Sequence, residues 1–132
     1  MSERLWPARV LVVDDDDASR RLVEVALRGL DVEVVLCADP EEAIGLVRDL
    51  RPAVLVLDVM MPGLDGPMVA ERVRAATEPG VAAPKIVLWS ALDASQLTLR
   101  ARACGADAVV LKIAGPAALV QQVGALLELW ES

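Results

Sequence analysis

Residues 9–21 read RVLVVDDDDASRR. A short Val/Leu run ends abruptly in four adjacent aspartates, Asp14 to Asp17. Branched apolar side chains favour a strand buried among neighbours. Four carboxylates in a row repel one another and cannot all stay in such a place. The acids therefore stand at the mouth of a first strand. Four more runs have the same character: VEVVL (32–36), AVLVLD (53–58), KIVLW (85–89) and AVVL (108–111). All are near-continuous rather than alternating, the pattern of strands covered on both faces in a parallel sheet.

Helix signals fill the gaps between the runs. Asp17 to Gly29 carries Leu22, Val25 and Ala26 on one side, with Gly29 where a C-terminal cap would stand. Asp39-Pro40-Glu41-Glu42 is a helix start: a capping aspartate, proline at the first position, then acids in the first turn. Further helices are expected over Pro67–Thr77, Leu92–Cys104 and Pro116–Trp130. Asp93 and Gly105 bracket the fourth, and Leu119, Val123, Leu126 and Trp130 form a stripe on the fifth. Strand and helix thus alternate five times, which predicts an α/β fold: a doubly wound, three-layer parallel sheet with right-handed crossovers. Residues 1–8 read as a short N-terminal extension and 9–132 as the domain.

Composition narrows the function. The 132 residues suit one domain, and 55% are apolar, a little above the roughly 45–50% of ordinary globular chains. No apolar run approaches the ~18 residues of a membrane span, and the N-terminus does not read as a signal peptide, so a cytoplasmic protein is expected. The net charge of −7 argues against nucleic-acid binding by this domain. The absence of histidine excludes a histidine-based catalytic or metal site. Cys37 and Cys104 lie outside any CxxC pattern and read as small buried hydrophobes, and Trp6 and Trp130 read as packing residues.

Ligands in such sheets sit beyond the carboxyl ends of the strands. Asp14 and Asp15 end the first strand, Asp58 the third, Ser90 the fourth and Lys112 the fifth. Two carboxylates ~6 Å apart repel by roughly 3 kcal/mol at an effective dielectric of ~20, so three such pairs cost of order 8 kcal/mol. A bound cation offsets this, and all-oxygen ligands suit Mg²⁺. The two charges of the ion and the one of Lys112 balance the three carboxylates. A neutral, oxygen-rich pocket of this kind can accept a phosphoryl group.

At these residues the chain resembles a family. VLVVDDDD, LVLDVMMPGLDG, LWSA and VVLK are similar to the signature segments of bacterial response-regulator receiver domains. The resemblance implies a flavodoxin-like (βα)5 sandwich with strand order 2-1-3-4-5. It implies that Asp58 accepts a phosphoryl group from a phosphohistidine on a sensor histidine kinase or phosphotransfer protein. Asp14 and Asp15 are then the acid pair that holds Mg²⁺, with Asp58 and the Met60 backbone carbonyl as further ligands. Ser90 is similar to the switch residue that bonds a phosphoryl oxygen, Ala91 to the small residue beside it, and Lys112 to the lysine that pairs with the group. Asp16 and Asp17 become bystanders, one in a solvated loop and one an N-cap. Trp89 is expected to pack in its strand and to report on the site.

Three departures qualify the resemblance. Ile113 stands where the lysine is normally followed by proline in a cis bond; a cis bond without proline costs ~2.5–4 kcal/mol, so a trans bond is expected. Val109 stands where the family carries an aromatic switch residue. Ile113 to Ser132 contain no Lys or Arg, so any homodimer through the fourth and fifth helices would use apolar contacts, with Leu129 and Ala118 as candidates. Met60 and Leu92 flank the approach to the phosphoryl group; neither can position water, which implies slow dephosphorylation. Two other readings exist: a degenerate receiver that docks proteins without phosphorylation, and a haloacid-dehalogenase-type phosphatase using VVDDDDAS, Ser90 and Lys112. The phosphatase would need a further acid pair after the lysine, where only Glu128 and Glu131 follow.

Overall fold

The computed structural model describes residues 7–131, with side chains as far as Leu129. The expectations for Trp6 and for the side chain of Trp130 lie outside the described residues. Five strands, β1 (Ala8–Val13), β2 (Val32–Cys37), β3 (Val54–Asp58), β4 (Lys85–Ser90) and β5 (Ala108–Leu111), form one parallel sheet. Its order is β2-β1-β3-β4-β5. The helices are α1 (Asp17–Leu27), α2 (Pro40–Leu50), α3 (Gly66–Ala76), α4 (Ala94–Cys104) and α5 (Pro116–Glu131). The flavodoxin-like expectation is met.

The strand sequences sort their side chains by size. Leu11, Val13, Leu55, Leu57, Ile86 and Leu88 point to the face covered by α2, α3 and α4. Val10, Val12, Val54, Val56 and Val87 point to the face covered by α1 and α5, where the smaller valines leave room for the Trp89 ring. Each of these residues is at most 1% exposed. Full burial of such a side chain contributes ~1.5–3 kcal/mol, so the two layers drive the fold. Cys37 and Cys104 are buried free thiols, as expected.

Four aspartates start four helices. The side chain of Asp16 accepts from the Ser19 backbone N–H at 3.0 Å, Asp39 from Glu41 at 2.9 Å, Asp65 from Met68 at 2.9 Å and Asp93 from Gln96 at 3.0 Å. Each such cap stabilises by about 1 kcal/mol. This corrects the reading of the first acids: Asp16, not Asp17, is the cap, because its carboxylate is the one three residues before an unpaired N–H. It also moves the start of α4 from Leu92 to Ala94 and that of α3 from Pro67 to Gly66.

Two further expectations for α1 are corrected. Its buried residues are Val23 and Leu27, while Leu22 and Val25 are about half exposed. Both stripes have helical spacing; the sheet takes the line Ser19–Val23–Leu27. Gly29 is not a left-handed cap, since Arg28 closes the helix in right-handed geometry. Gly105 does end α4 in the left-handed region, at φ 71°, as expected.

Candidate functional site

The parallel register brings the acids together. Val13 pairs with Leu57, so the next residues, Asp14 and Asp58, emerge side by side at the carboxyl edge. Asp14 is fully buried and Asp58 nearly so, whereas Asp15 is exposed. One carboxylate oxygen from each of Asp14, Asp15 and Asp58 lies within 4.8 Å of the others. Lys112 follows β5 and opens a single 3₁₀ turn, Lys112–Ala114. Its Nζ stands 3.3 Å from Asp14 Oδ2 and 3.3 Å from Asp58 Oδ2. The described residues contain no cis peptide bond, so Lys112–Ile113 is trans, and Lys112 still reaches both acids. Ile113 points its side chain into solvent, 93% exposed.

Backbone donors complete the arrangement. Asp16 N–H donates to Asp14 Oδ1 at 3.0 Å, and Met60 N–H donates to Asp58 Oδ1 at 3.2 Å. Asp16 is therefore not a bystander. Burial pushes the Asp58 carboxyl up, the charge of Asp14 pushes it further, and Lys112 offsets only part, so it titrates at about 6. Burial also opposes ionisation of Asp14. There, hydrogen bonds from the Ser19 side chain and the Asp16 N–H, with the Lys112 charge, outweigh it and hold the carboxyl below its ordinary value. Three convergent carboxylates, one of them strained toward protonation, with a single lysine against them, fit a hard divalent cation bound through oxygen.

The other expected residues occupy the same edge in different states. Ser90 ends β4, one residue beyond the neighbour of Asp58, and its Oγ accepts from Leu92 N–H at 3.1 Å. Ala91 beside it is exposed. Val109 lies on edge strand β5, paired with Leu88 and 38% exposed. Met60 is exposed beside Asp58, while Met61 is buried in the core. Leu92 packs against the α2–α4 layer. On the outer side Leu129 is exposed, whereas Ala118 packs against the other core layer.

Four residues that support the site were not singled out in the sequence. Arg20 donates through Nη1 to the Asp14 carbonyl at 2.7 Å and also pairs with Asp17. Ser19 lies between Asp14 and Trp89, which is fully buried behind the site. Gly66 starts α3 against the Asp58 backbone, and Asp65 caps that helix while pairing with Arg100 of α4 at 3.4 Å. An aspartate followed by Gly-Pro is a visible helix start, but the contact of Gly66 with Asp58 is not.

Residues 10–124 match the profile of the response regulator receiver domain. The chain is 36% identical over 119 residues to the DNA-binding response regulator MtrA of Mycolicibacterium smegmatis, covering 90% of this chain and 50% of that protein. It spans about half the length of the curated relatives it matches. Among solved structures it is similar to a two-component response regulator of the LuxR family from Aurantimonas, with TM-score 0.77, 32% identity and coverage of 92% of this chain and 86% of that one. It is also similar to the BeF3-activated N-terminal receiver domain of Klebsiella pneumoniae RstA, with TM-score 0.77, 27% identity and coverage of 90% and 97%. The matched span includes Asp14, Asp58, Ser90 and Lys112. Matched over most of its length in both sequence and structure, this chain belongs to the response regulator receiver domains, the signalling modules of two-component systems.

Proposed function

We propose that Asp58 is the phosphoacceptor of this receiver and that Asp14, Asp15, Asp58 and the Met60 carbonyl hold Mg²⁺. The observation that carries the reading is the Lys112 amine poised 3.3 Å from both Asp14 and Asp58 within a cluster of three carboxylates. An Asp58 carboxylate oxygen attacks phosphorus as the P–N bond of a phosphohistidine breaks. An acyl phosphate forms, and the departing imidazole takes up a proton. This chain has no histidine, so a sensor kinase or phosphotransfer protein supplies the donor. Lys112 Nζ and Ser90 Oγ then bind phosphoryl oxygens; the Ser90 hydroxyl accepts from the Leu92 N–H and keeps its own proton to donate. When bound, Mg²⁺ supplies the countercharge for those oxygens. The BeF3-activated relative supports the reading, because beryllium trifluoride bound to a carboxylate oxygen is tetrahedral at beryllium and resembles a phosphoryl group.

Phosphorylation changes partner binding through α4, β5 and α5, where Leu99, Val109 and Leu129 are exposed and open to a second copy of the chain. Val109 cannot act as an aromatic switch, so the change rests on Ser90 and α4. No helix among the described residues is long and apolar enough to cross a membrane, which is compatible with a cytoplasmic partner kinase. The MtrA relatives are named as DNA-binding; with a net charge of −7, we assign no DNA contact to this domain.

The test is intact mass after incubation with Mg²⁺ and a small-molecule phosphoryl donor. One added phosphoryl group, lost in Asp58→Asn and without metal, is the expected result. No gain by the folded, Mg²⁺-loaded chain would favour a docking module that is never phosphorylated.

A further inference from the structure

Trp89 sits in β4 directly before Ser90, 1% exposed on the α1/α5 side of the sheet. Its indole N–H donates to Ser19 Oγ at 3.4 Å, joining residues 70 positions apart. Ser19 lies in the first turn of α1, on the sheet-facing line with Val23 and Leu27. The Asp16 cap fixes its backbone by accepting from its N–H at 3.0 Å. The Ser19 side chain also lies near the Asp14 carboxylate and helps to hold its carboxyl below the ordinary value.

The direction of this chain follows from the groups themselves. An indole N–H can only donate, and an ionised carboxylate can only accept. Ser19 Oγ therefore accepts from Trp89, which leaves its one proton available to Asp14. Trp89 has a second contact with the site: Lys112 Nζ lies 6.0 Å from the ring centroid. Asp14 is thereby surrounded by donors, with Asp16 N–H on Oδ1, Lys112 on Oδ2, and the Ser19 hydroxyl.

We infer that Ser19 and Trp89 are positioning residues, and that the relay Trp89 N–H to Ser19 O–H to Asp14 fixes the orientation in which Asp14 meets a divalent cation. The inference rests on the reading above that Asp14 holds Mg²⁺. Groups that orient a metal-binding side chain change affinity by ~10–100-fold when removed.

The experiment is Mg²⁺ titration by calorimetry of the full chain and of Ser19→Ala, Ser19→Thr, Trp89→Phe and the Ser19→Ala/Trp89→Phe double variant, with urea unfolding to verify each fold. Ser19→Ala should bind about 10-fold more weakly, and Ser19→Thr, which keeps the hydroxyl, should bind like the parent. Trp89→Phe should lose less, and the double variant should match Ser19→Ala, because the indole acts through the hydroxyl. A second readout needs no metal: the indole N–H resonance that disappears in Trp89→Phe should move in Ser19→Ala and stay in Ser19→Thr. Parental affinity in Ser19→Ala, losses that multiply in the double variant, or an unmoved indole resonance would overturn the inference alone. A parent chain that binds no Mg²⁺ would overturn both it and the metal reading. If Trp89→Phe does not fold, the comparison of Ser19→Ala with Ser19→Thr decides.

Discussion

Gly66 begins α3 with its Cα pressed against the backbone of Asp58. A Cβ built there would lie 3.1 Å from the Asp58 carbonyl carbon and closer still to its oxygen. Gly66 N–H also donates to the Val59 carbonyl at 3.1 Å. The residue proposed to carry the phosphoryl group is thus held from behind by a helix that has no side chain at the point of contact. Gly66→Ala should cost ~1–3 kcal/mol by overpacking against backbone that cannot swing aside. Gly80 has φ 86° and open space around it, so Gly80→Ala should cost only the ~1 kcal/mol of left-handed strain. Urea unfolding of both variants checks the order; equal losses would contradict it.

Asp58→Asn should stabilise the metal-free protein. Burial and Asp14 make the ionised Asp58 unfavourable despite Lys112. Removing that charge should contribute of order 1–3 kcal/mol. Mg²⁺ at ten times its dissociation constant should stabilise the parent by about 1.4 kcal/mol and leave Asp58→Asn nearly unaffected. Thermal unfolding with and without Mg²⁺ measures both effects.

The same group sets a pH dependence. Asp58 holds its proton to about pH 6 in the fold, against an ordinary value of 3.8 in the unfolded chain. Between those values the folded chain binds more protons, so metal-free stability should fall as pH rises from 4 to 6 and then level off, by of order 2 kcal/mol. The depressed Asp14 acts in the opposite sense, and its contribution is lost only below its ordinary value. Asp58→Asn should flatten the slope; a parent that gains stability over this window would contradict the assignment.

If Asp58 is phosphorylated, the acyl phosphate should decay slowly. Met60, exposed beside it, has no group to hold an attacking water. Met60→Asn should speed decay several-fold, read as loss of the added mass with time. Leu92 packs into the core layer, so its replacement is the less direct test.

Asp14, Asp15, Asp58, Ser90 and Lys112 were legible because each terminates an apolar run, and parallel strands share one carboxyl edge. The fold was legible for the same reason. The face of α1 was not: Leu22/Val25 and Val23/Leu27 both satisfy a helical period, and only the sheet chooses between them. Nor was the choice of Asp16 over Asp17 as cap, since adjacent aspartates offer the same chemistry one residue apart. The role of Ser19 depends on Trp89, 70 residues away, and local pattern carries no trace of such a pair.

The two ion pairs of Lys112 join residues 98 and 54 positions apart. During synthesis Asp14 emerges early and Asp58 follows, but the lysine that pairs with both comes only after the last strand. Closing so long a segment carries an entropic cost that local contacts cannot offset, so the site belongs among the last features to assemble. An incomplete chain carries the acids without their counterweight. If the site works as proposed, a nascent or partly unfolded copy lacks the Lys112 contacts on which acceptance of a phosphoryl group depends.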